Sequence, residues 1–129
     1  MNPSEIVASF VECVNRHDLD GICQLMAEDH MFIDGTGSSV CGRESMRCAW
    51  SAYFGMMPDY WVRAEDVLER GDLVILIGRA GGTYSPDGAL DPGNRWEVPA
   101  AWKAVVRFGR LSLWQVFADN EPLRQIVDR

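Results

Sequence analysis

Hydrophobic and polar residues follow two different repeats along the chain, and the change falls at Pro58. Before it, apolar side chains recur at helical spacing, beginning with Ile6, Phe10, Cys13 and Val14. After it, apolar and polar residues alternate, which is the repeat of a strand with one buried face. The pattern therefore predicts helices in the first half of the chain and a sheet in the second.

Three helices are predicted before Pro58. The first begins at residues 2–5, where Asn, Pro, Ser and Glu combine an N-cap, a proline in the first helical position and an acid in the third. Asp18 caps a short second helix, and the triplet at 42–44 begins a third, which the proline ends. Between the second and third helices, residues 31–34 form a short predicted strand that delivers an aspartate into a glycine-rich break.

Four antiparallel strands and a closing helical turn are predicted after Pro58. Arg70-Gly71 and Gly109-Arg110 are hairpin signals, and a longer loop separates the two hairpins. The clearest strand spans residues 96–108, where apolar positions alternate with Glu97, Lys103 and Arg107. Helices followed by a run of strands predict an α+β fold, and residues 1–129 are expected to form a single domain.

The face of the sheet predicted to point inward mixes very large with very small side chains. Interdigitated packing is the commoner explanation of such a mixture. The other explanation is a pocket with aromatic walls, whose volume comes from the small residues. The large residues are Trp96, Trp102 and Phe108, and the small ones are Ala64, Gly81, Ala100 and Ala104.

Composition disfavours several classes of partner. The chain has 12 Lys+Arg against 19 Asp+Glu and a formal net charge of −7, which repels nucleic acid and anionic lipid. No apolar run approaches the roughly 20 residues of a membrane span, and the cytoplasm is the expected location. The four cysteines have no CxxC spacing and the two histidines no HxxxH spacing, so neither a metal site nor another cofactor is predicted.

Three runs of sequence resemble the NTF2-like superfamily, and more narrowly its SnoaL-like and ketosteroid-isomerase-like branch. The runs NRHDLDGICQLMAEDHMFID, FIDGTGSSVCGRES and AAWKAVVRFGRLSLWQVFADNEPLR are similar to the branch's helix–helix–strand entry, its loop before the third helix and its final hairpin. The resemblance covers essentially the whole chain. It implies a cone, in which a curved antiparallel sheet wraps around three helices with an apolar pocket between them. It also implies a small-molecule ligand and a homodimer through the convex sheet face, with Arg63, Glu65, Lys103 and Arg107 pairing across it.

Asp34 is the strongest candidate for chemistry. In ketosteroid isomerases the general base is an aspartate at the end of the first strand, and the resemblance places Asp34 at that position. A carboxylate that faces an apolar cavity has a raised pKa and becomes a competent base. The alternative is a turn residue that binds the backbone of residues 35–37, since aspartate is favoured where a strand ends in a glycine-containing loop.

The catalytic sets of two well-defined enzyme types in this branch are incomplete here. Ketosteroid isomerases pair a first-helix tyrosine with a protonated aspartate on the penultimate strand, and the matching residues are Phe10 and Ala104. Limonene-epoxide-hydrolase-like enzymes need Arg-x-Asp on that strand and a further Asp on the last, where this chain has residues 102–104 (Trp-Lys-Ala) and Val116. Two hypotheses stay open: a polyketide cyclase-like or isomerase-type enzyme acting on a small apolar carbonyl compound, and a non-catalytic protein that binds a small apolar ligand.

The remaining candidates lie on strands or on the third helix. Arg79 interrupts an apolar strand, and it either polarises a substrate or pairs with a buried acid. The tryptophans either stack on a ligand or fill the core, and Asn120 either faces the pocket or caps a helix. The loop from Ser85 to Arg95 is expected to cover the mouth. The predicted ligand-binding residues are Trp50, Tyr53, Val62, Ile77, Trp102, Trp114, Val116 and Asn120.

Overall fold

A computed structural model describes residues 1–129 as four helices and one six-stranded sheet. No helix is long and apolar enough to cross a membrane. A short 3-10 turn, Pro92–Asn94, precedes the fifth strand. In chain order the elements are α1 Pro3–Asn15, α2 Leu19–Leu25, β1 Met26–Ile33, β2 Ser39–Cys41, α3 Arg43–Met56, β3 Trp61–Arg70, β4 Leu73–Thr83, β5 Arg95–Arg107, β6 Arg110–Ala118 and α4 Glu121–Val127.

The helices begin at the predicted capping residues. The side chain of Asn2 accepts a hydrogen bond from the Glu5 N–H at 2.9 Å, and the Glu5 carboxylate accepts one from the Asn2 N–H. The Asp18 carboxylate accepts the Gly21 N–H at 3.0 Å at the start of α2. Gly42 precedes α3 with φ of 104°, a conformation that strains residues with a side chain. The three predicted helices are confirmed, and the predicted closing turn is the short helix α4.

The strands are ordered β2-β1-β6-β5-β4-β3 across the sheet. Every neighbouring pair is antiparallel except β1 with β6, which is parallel. Because β1 and β6 are parallel, their C-terminal ends lie on the same side of the sheet. Asp34 directly follows β1, and Asn120 comes two residues after the end of β6. The prediction for β1 was too short, since its polar residues 28–30 hide the strand pattern, and β2, whose three residues are all exposed, was missed.

The core lies between the inner face of the sheet and the helices. On β5, the even-numbered residues from Trp96 to Val106 are buried, as the alternation predicts. The inward position predicted for Phe108 is wrong, because β5 ends at Arg107 and the chain turns there. Phe108 has φ of 52° in the hairpin, and its side chain is fully exposed. Phe108 therefore fits the apolar alternation of β5 in the sequence but is not part of the buried face of the strand in the structure.

His30, on β1, is a polar side chain buried in this core. Its Nδ1 donates a hydrogen bond to the Leu111 carbonyl oxygen at 2.8 Å, and its Nε2 has no partner. Burial lowers the pKa of His30 below its ordinary value of 6.5, because the charged ring would be removed from water. The folded state therefore holds His30 neutral.

We expect His30 to make the protein less stable in mild acid. Its contribution is fully present above the unfolded-state pKa of 6.5 and is lost as the pH falls below that value, because unfolding then allows the ring to take up a proton. Urea denaturation at pH 7.5 and pH 5.5 measures the change in the free energy of unfolding. The loss should be smaller in His30→Phe than in the wild type, and an equal loss in the two proteins would contradict this assignment.

Candidate ligand pocket

An apolar cavity of about 250 Å³ lies between α3 and the inner face of the sheet. Hydrophobic residues make up 14 of the 17 that line it, and the other three are Asp34, Gly35 and Asn120. A cavity of roughly 150 Å³ is enough for benzene, so this one can hold a molecule larger than a single aromatic ring. No group of three or more His, Cys, Asp or Glu side chains is placed to hold a metal ion.

Small side chains on the strands provide the space. Ala100 on β5 lies opposite Ala118 on β6, and both line the cavity together with Ala80 on β4. The next inward pair on the same two strands is Trp102 opposite Val116. The combination of alanines with large aromatic neighbours therefore forms a pocket here, although the other predicted small residues, Ala64, Gly81 and Ala104, do not line it.

Most of the predicted site residues come together at this cavity. They approach it from three directions, which are the loop after β1, the helix α3, and strands β5 and β6 with the residues that follow. The predicted residues that line it are Asp34, Trp50, Tyr53, Trp102, Trp114, Val116 and Asn120.

Three predicted site residues lie elsewhere. Arg79 and Ile77 are on the outer face of β4, where Arg79 pairs with Glu97 at 3.3 Å and Ile77 is 44% exposed. The inward residues of β4 have the opposite parity, and the prediction was wrong because residues 73–80 are almost all apolar and show no alternation. Val62 is buried in the core and does not line the cavity.

Asp34 lies at the polar end of the cavity and also forms a turn. Its Oδ1 accepts hydrogen bonds from the Thr36 hydroxyl at 2.6 Å, the Thr36 N–H at 2.9 Å and the Ser38 N–H at 3.1 Å, and none of the three reaches Oδ2. The Thr36 hydroxyl, with support from the backbone N–H groups, holds the pKa of Asp34 below its ordinary value. The rise in pKa expected from desolvation is therefore not found, and Asp34 is an ionised carboxylate at neutral pH.

Asn120 also lines the cavity and approaches Gly35, the residue after Asp34. It occupies the N-cap position of α4, but its side chain makes no capping hydrogen bond, so the capping role predicted for it is not seen. Asp119 instead accepts the Glu121 N–H at 3.0 Å. A Cβ atom placed on Gly35 would lie 3.3 Å from Asn120 Nδ2, which shows how closely the amide approaches the loop. The absence of a side chain at position 35 leaves room for the Asn120 amide.

Three aromatic wall residues, Phe32, Tyr60 and Trp96, were not predicted as site residues. Tyr60 immediately precedes β3 and has the parity of the buried Val62, and Trp96 is the second residue of β5. Burial raises the pKa of the neighbouring Tyr53 to about 12, and burial together with Tyr53 raises the pKa of Tyr60 further. Both phenols therefore stay protonated at neutral pH.

Indole N–H groups are the other polar atoms of the wall. Of the four tryptophans that line the cavity, only Trp96 donates its N–H within the protein, to Met57 Sδ at 3.4 Å. The N–H of Trp50 is buried without an acceptor. Such an unmade hydrogen bond costs about 1–3 kcal/mol, which a ligand acceptor would recover.

The positions that match the oxyanion donors of ketosteroid isomerases belong to the core. Phe10 is fully buried, with its ring 4.9 Å from that of Trp114 and 6.3 Å from that of Trp50. Ala104, opposite Trp114, is also fully buried, and neither Phe10 nor Ala104 lines the cavity. The residues of the loop after β4 are absent from the wall as well, so the predicted cover by Ser85 to Arg95 is not seen.

The curved sheet, the helices on its inner side and the cavity between them define the NTF2-like fold, with solved structures of SnoaL-like and ketosteroid-isomerase-like proteins as neighbours. A model of the SnoaL-like domain matches residues 7–114, so the chain belongs to this family. No curated protein matches the sequence.

Three solved structures illustrate the similarity. IdmH from Streptomyces antibioticus, a candidate polyketide cyclase, is 26% identical, with 100% of both chains covered and a TM-score of 0.81. A candidate SnoaL-like polyketide cyclase from Shewanella denitrificans is 14% identical, with 98% of this chain and 96% of that chain covered and a TM-score of 0.81. A protein from Catenulispora acidiphila with a ketosteroid isomerase-like fold was solved in complex with trimethylamine. It is 20% identical, with 88% of this chain and 84% of that chain covered and a TM-score of 0.75.

Proposed function

We propose that this protein binds a small, mostly apolar carbonyl compound in the cavity and that Asp34 acts on it as a general base, in a reaction of the isomerase, cyclase or lyase type. The observation that carries the proposal is a single carboxylate in the wall of a mostly apolar cavity. Membership of the SnoaL-like family and the candidate cyclases among the structural neighbours support a small-molecule substrate.

The hydrogen bonds of Asp34 suit this role. Thr36 and Ser38 hold Oδ1 in place, which leaves Oδ2 as the oxygen that can accept a proton from a ligand. Because its pKa is lowered, the group is ionised at neutral pH without further activation, but it is also a weaker base. A weaker base suits substrates whose C–H bond is already activated, such as a CH₂ between a carbonyl group and an aromatic ring.

A negative charge that develops on the substrate oxygen needs a hydrogen-bond donor. The residues at the two family donor positions, Phe10 and Ala104, cannot supply one. The indole N–H of Trp50, which has no protein acceptor, and the amide of Asn120 are donors in the cavity wall that take their place in this proposal. Arg79, the polariser considered from the sequence, is on the other face of the sheet.

Deuterium exchange of 2-tetralone in D₂O, followed by NMR, tests the proposal. This ketone has an activated CH₂ and is larger than one aromatic ring. We expect saturable acceleration by the wild type, its loss in Ala118→Phe, which fills the cavity, and no loss in Ala89→Phe, in an exposed loop. Binding of 2-tetralone in the cavity without acceleration would overturn the catalytic proposal.

A non-catalytic binding protein is the second candidate function. The low proton affinity of Asp34 and the two missing donors favour it. The Catenulispora acidiphila neighbour, in complex with trimethylamine, shows a small molecule bound to a protein of this fold. This function predicts saturable quenching of tryptophan fluorescence by a neutral ligand such as 2-tetralone, with an affinity that Asp34→Asn does not change.

We also propose that two copies of the chain associate through the outer face of the sheet. Ile77, Ala101 and Phe117 are in register on three adjacent strands of that face, and Ile77 and Phe117 are 44% and 52% exposed. Such an exposed apolar row is typical of an interface. Arg63 and Glu65, expected from the sequence to pair between chains, lie 3.9 Å apart within one chain.

The dimer has a direct test in sedimentation equilibrium at micromolar concentration. We expect the wild type to be dimeric and Phe117→Asp to raise the dimer dissociation constant at least about tenfold, because an unpaired charge would be buried at the interface. Phe108→Asp, at an exposed hairpin tip away from the apolar row, is the matched control and should leave the constant unchanged. A monomeric wild type would contradict the proposal.

The cytoplasm is the location that we propose for this protein. All four cysteines are free, and Cys41 and Cys48 are exposed. Free exposed thiols persist in a reducing compartment, whereas an oxidising one promotes disulfides.

A further inference from the structure

The wall of the cavity carries a single formal charge, and that charge is negative. Asp34 is the only ionised residue among those that line it, and no lysine, arginine or histidine is present. The whole chain adds a net charge of −7. A ligand anion would enter this cavity without a counter-charge, which is expensive, whereas a cation would be attracted.

Four aromatic side chains, Trp50, Tyr53, Tyr60 and Trp96, form a continuous part of the same wall, which we call the aromatic cluster. The ring centroid of Trp50 lies 6.3 Å from that of Tyr53 and 6.3 Å from that of Tyr60. The ring centroid of Tyr60 lies 4.9 Å from that of Tyr53 and 6.2 Å from that of Trp96. A cation within roughly 6 Å of a ring centroid is attracted by the ring face. Because neighbouring centroids are so close, one cation in contact with a ring is near a second ring as well.

We propose that the cavity selects a ligand with an organic ammonium group, which lies against the aromatic cluster in the field of the Asp34 carboxylate. The inference rests on the small-molecule binding in the proposed function but not on proton transfer. It adds the charge of the ligand, which neither the family nor the apolar lining specifies.

The state of Asp34 supports this selection. The Thr36 and Ser38 hydrogen bonds stabilise the ionised form and lower the pKa of Asp34, so the negative charge persists in mild acid. Tyr53 and Tyr60 stay protonated, since burial raises the pKa of each, so they offer neutral rings and do not add a competing charge. An ammonium ion loses water on entry, and contact with several rings offsets that loss.

Three probes of similar shape and different charge test the inference. Phenyltrimethylammonium is a cation, tert-butylbenzene is its neutral isostere, and 4-tert-butylbenzoate is an anion. Titrations followed by the indole N–H signals in ¹⁵N–¹H NMR spectra report both affinity and place. The four cavity tryptophans should shift, and Trp61, which does not line the cavity, should not.

We expect phenyltrimethylammonium to bind about tenfold more tightly than tert-butylbenzene, and the benzoate to bind more weakly than both. Asp34→Asn should reduce the affinity for the cation alone. Asp119→Asn, which makes the same change in net charge outside the cavity wall, should not reduce it. Tyr53→Leu, which removes a ring, should reduce the affinity for the cation more than the affinity for the neutral probe.

The inference is overturned if the neutral isostere or the benzoate binds as tightly as the cation, or if none of the three probes shifts the cavity signals. The response to 2-tetralone then separates the two proposals. If 2-tetralone shifts those signals, the cavity is a binding site and only the charge selection is wrong. If 2-tetralone gives no shift either, the proposed function fails too.

Discussion

Replacing Asp34 with asparagine is expected to slow the protein-dependent deuterium exchange of 2-tetralone at least about a hundredfold. General bases contribute roughly 10²–10⁴ to rates, and an amide cannot take up the proton. The fold should survive, because the asparagine side-chain oxygen can still accept hydrogen bonds from Thr36 and Ser38, as Asp34 Oδ1 does. Exchange rates measured by NMR at saturating ketone, with thermal denaturation as a check on folding, give the comparison.

The matched control is Asp119→Asn, which makes the same chemical change at a carboxylate outside the cavity wall and should leave the rate unchanged. Exchange that is equally fast in Asp34→Asn and the wild type would remove Asp34 from the mechanism. The pH profile is a second check. The pKa of Asp34 is below its ordinary value of 3.8, so the carboxylate stays ionised between pH 7 and pH 5. The rate constant should therefore not fall over that range.

Phe10→Ala is expected to lower the free energy of unfolding by about 3–5 kcal/mol. Phe10 is fully buried between α1 and the sheet, with its ring tilted against that of Trp114. Its removal leaves a void and also takes away an aromatic contact. Chemical denaturation at neutral pH measures the change.

Phe108→Ala is the matched control, because that phenylalanine is fully exposed and its removal should change the free energy of unfolding by less than about 0.5 kcal/mol. A loss below about 1 kcal/mol in Phe10→Ala would show that the ring is not part of a packed core. The end of the cone that holds the oxyanion donors in ketosteroid isomerases would then be open here.

The sequence predicts best the elements whose signals are local. Capping residues such as Asn2 and Asp18 give the starts of the helices, because a capping side chain binds an N–H only three residues away. The alternation on β5 predicts its inward face for the same reason, since every second residue of a strand faces the same side. Trp102, Trp114 and Val116 were assigned to the pocket on this basis.

Signals that depend on partners distant in sequence are weaker. The run from Leu73 to Ala80 is apolar on both sides, so only the packing of the sheet decides that Val74 and Leu76 point inward and Ile77 and Arg79 outward. The sequence alone does not distinguish an apolar residue that packs against the helices on the inner face from one that meets a second copy of the chain on the outer face. Tyr60 and Val62 share one parity, but alternation does not show that Tyr60 borders the cavity and Val62 does not.

Asp34 shows both the strength and the limit of sequence reasoning. Its position after the first strand predicts a place at the pocket, and the structure has it there. Its pKa depends on Thr36 and Ser38, which bind the carboxylate only once the loop is folded. The two functions proposed for it from sequence, base and turn residue, are therefore compatible, because different carboxylate oxygens are available for them.

A crystal structure with 2-tetralone bound would test the central claim most directly, since that claim concerns where a ligand lies relative to one carboxylate. We predict that the ketone occupies the cavity between α3 and the sheet, with its activated CH₂ carbon within about 3.5 Å of Asp34 Oδ2. A ketone bound elsewhere on the protein, or held in the cavity with that carbon more than about 6 Å from both carboxylate oxygens, would contradict the account.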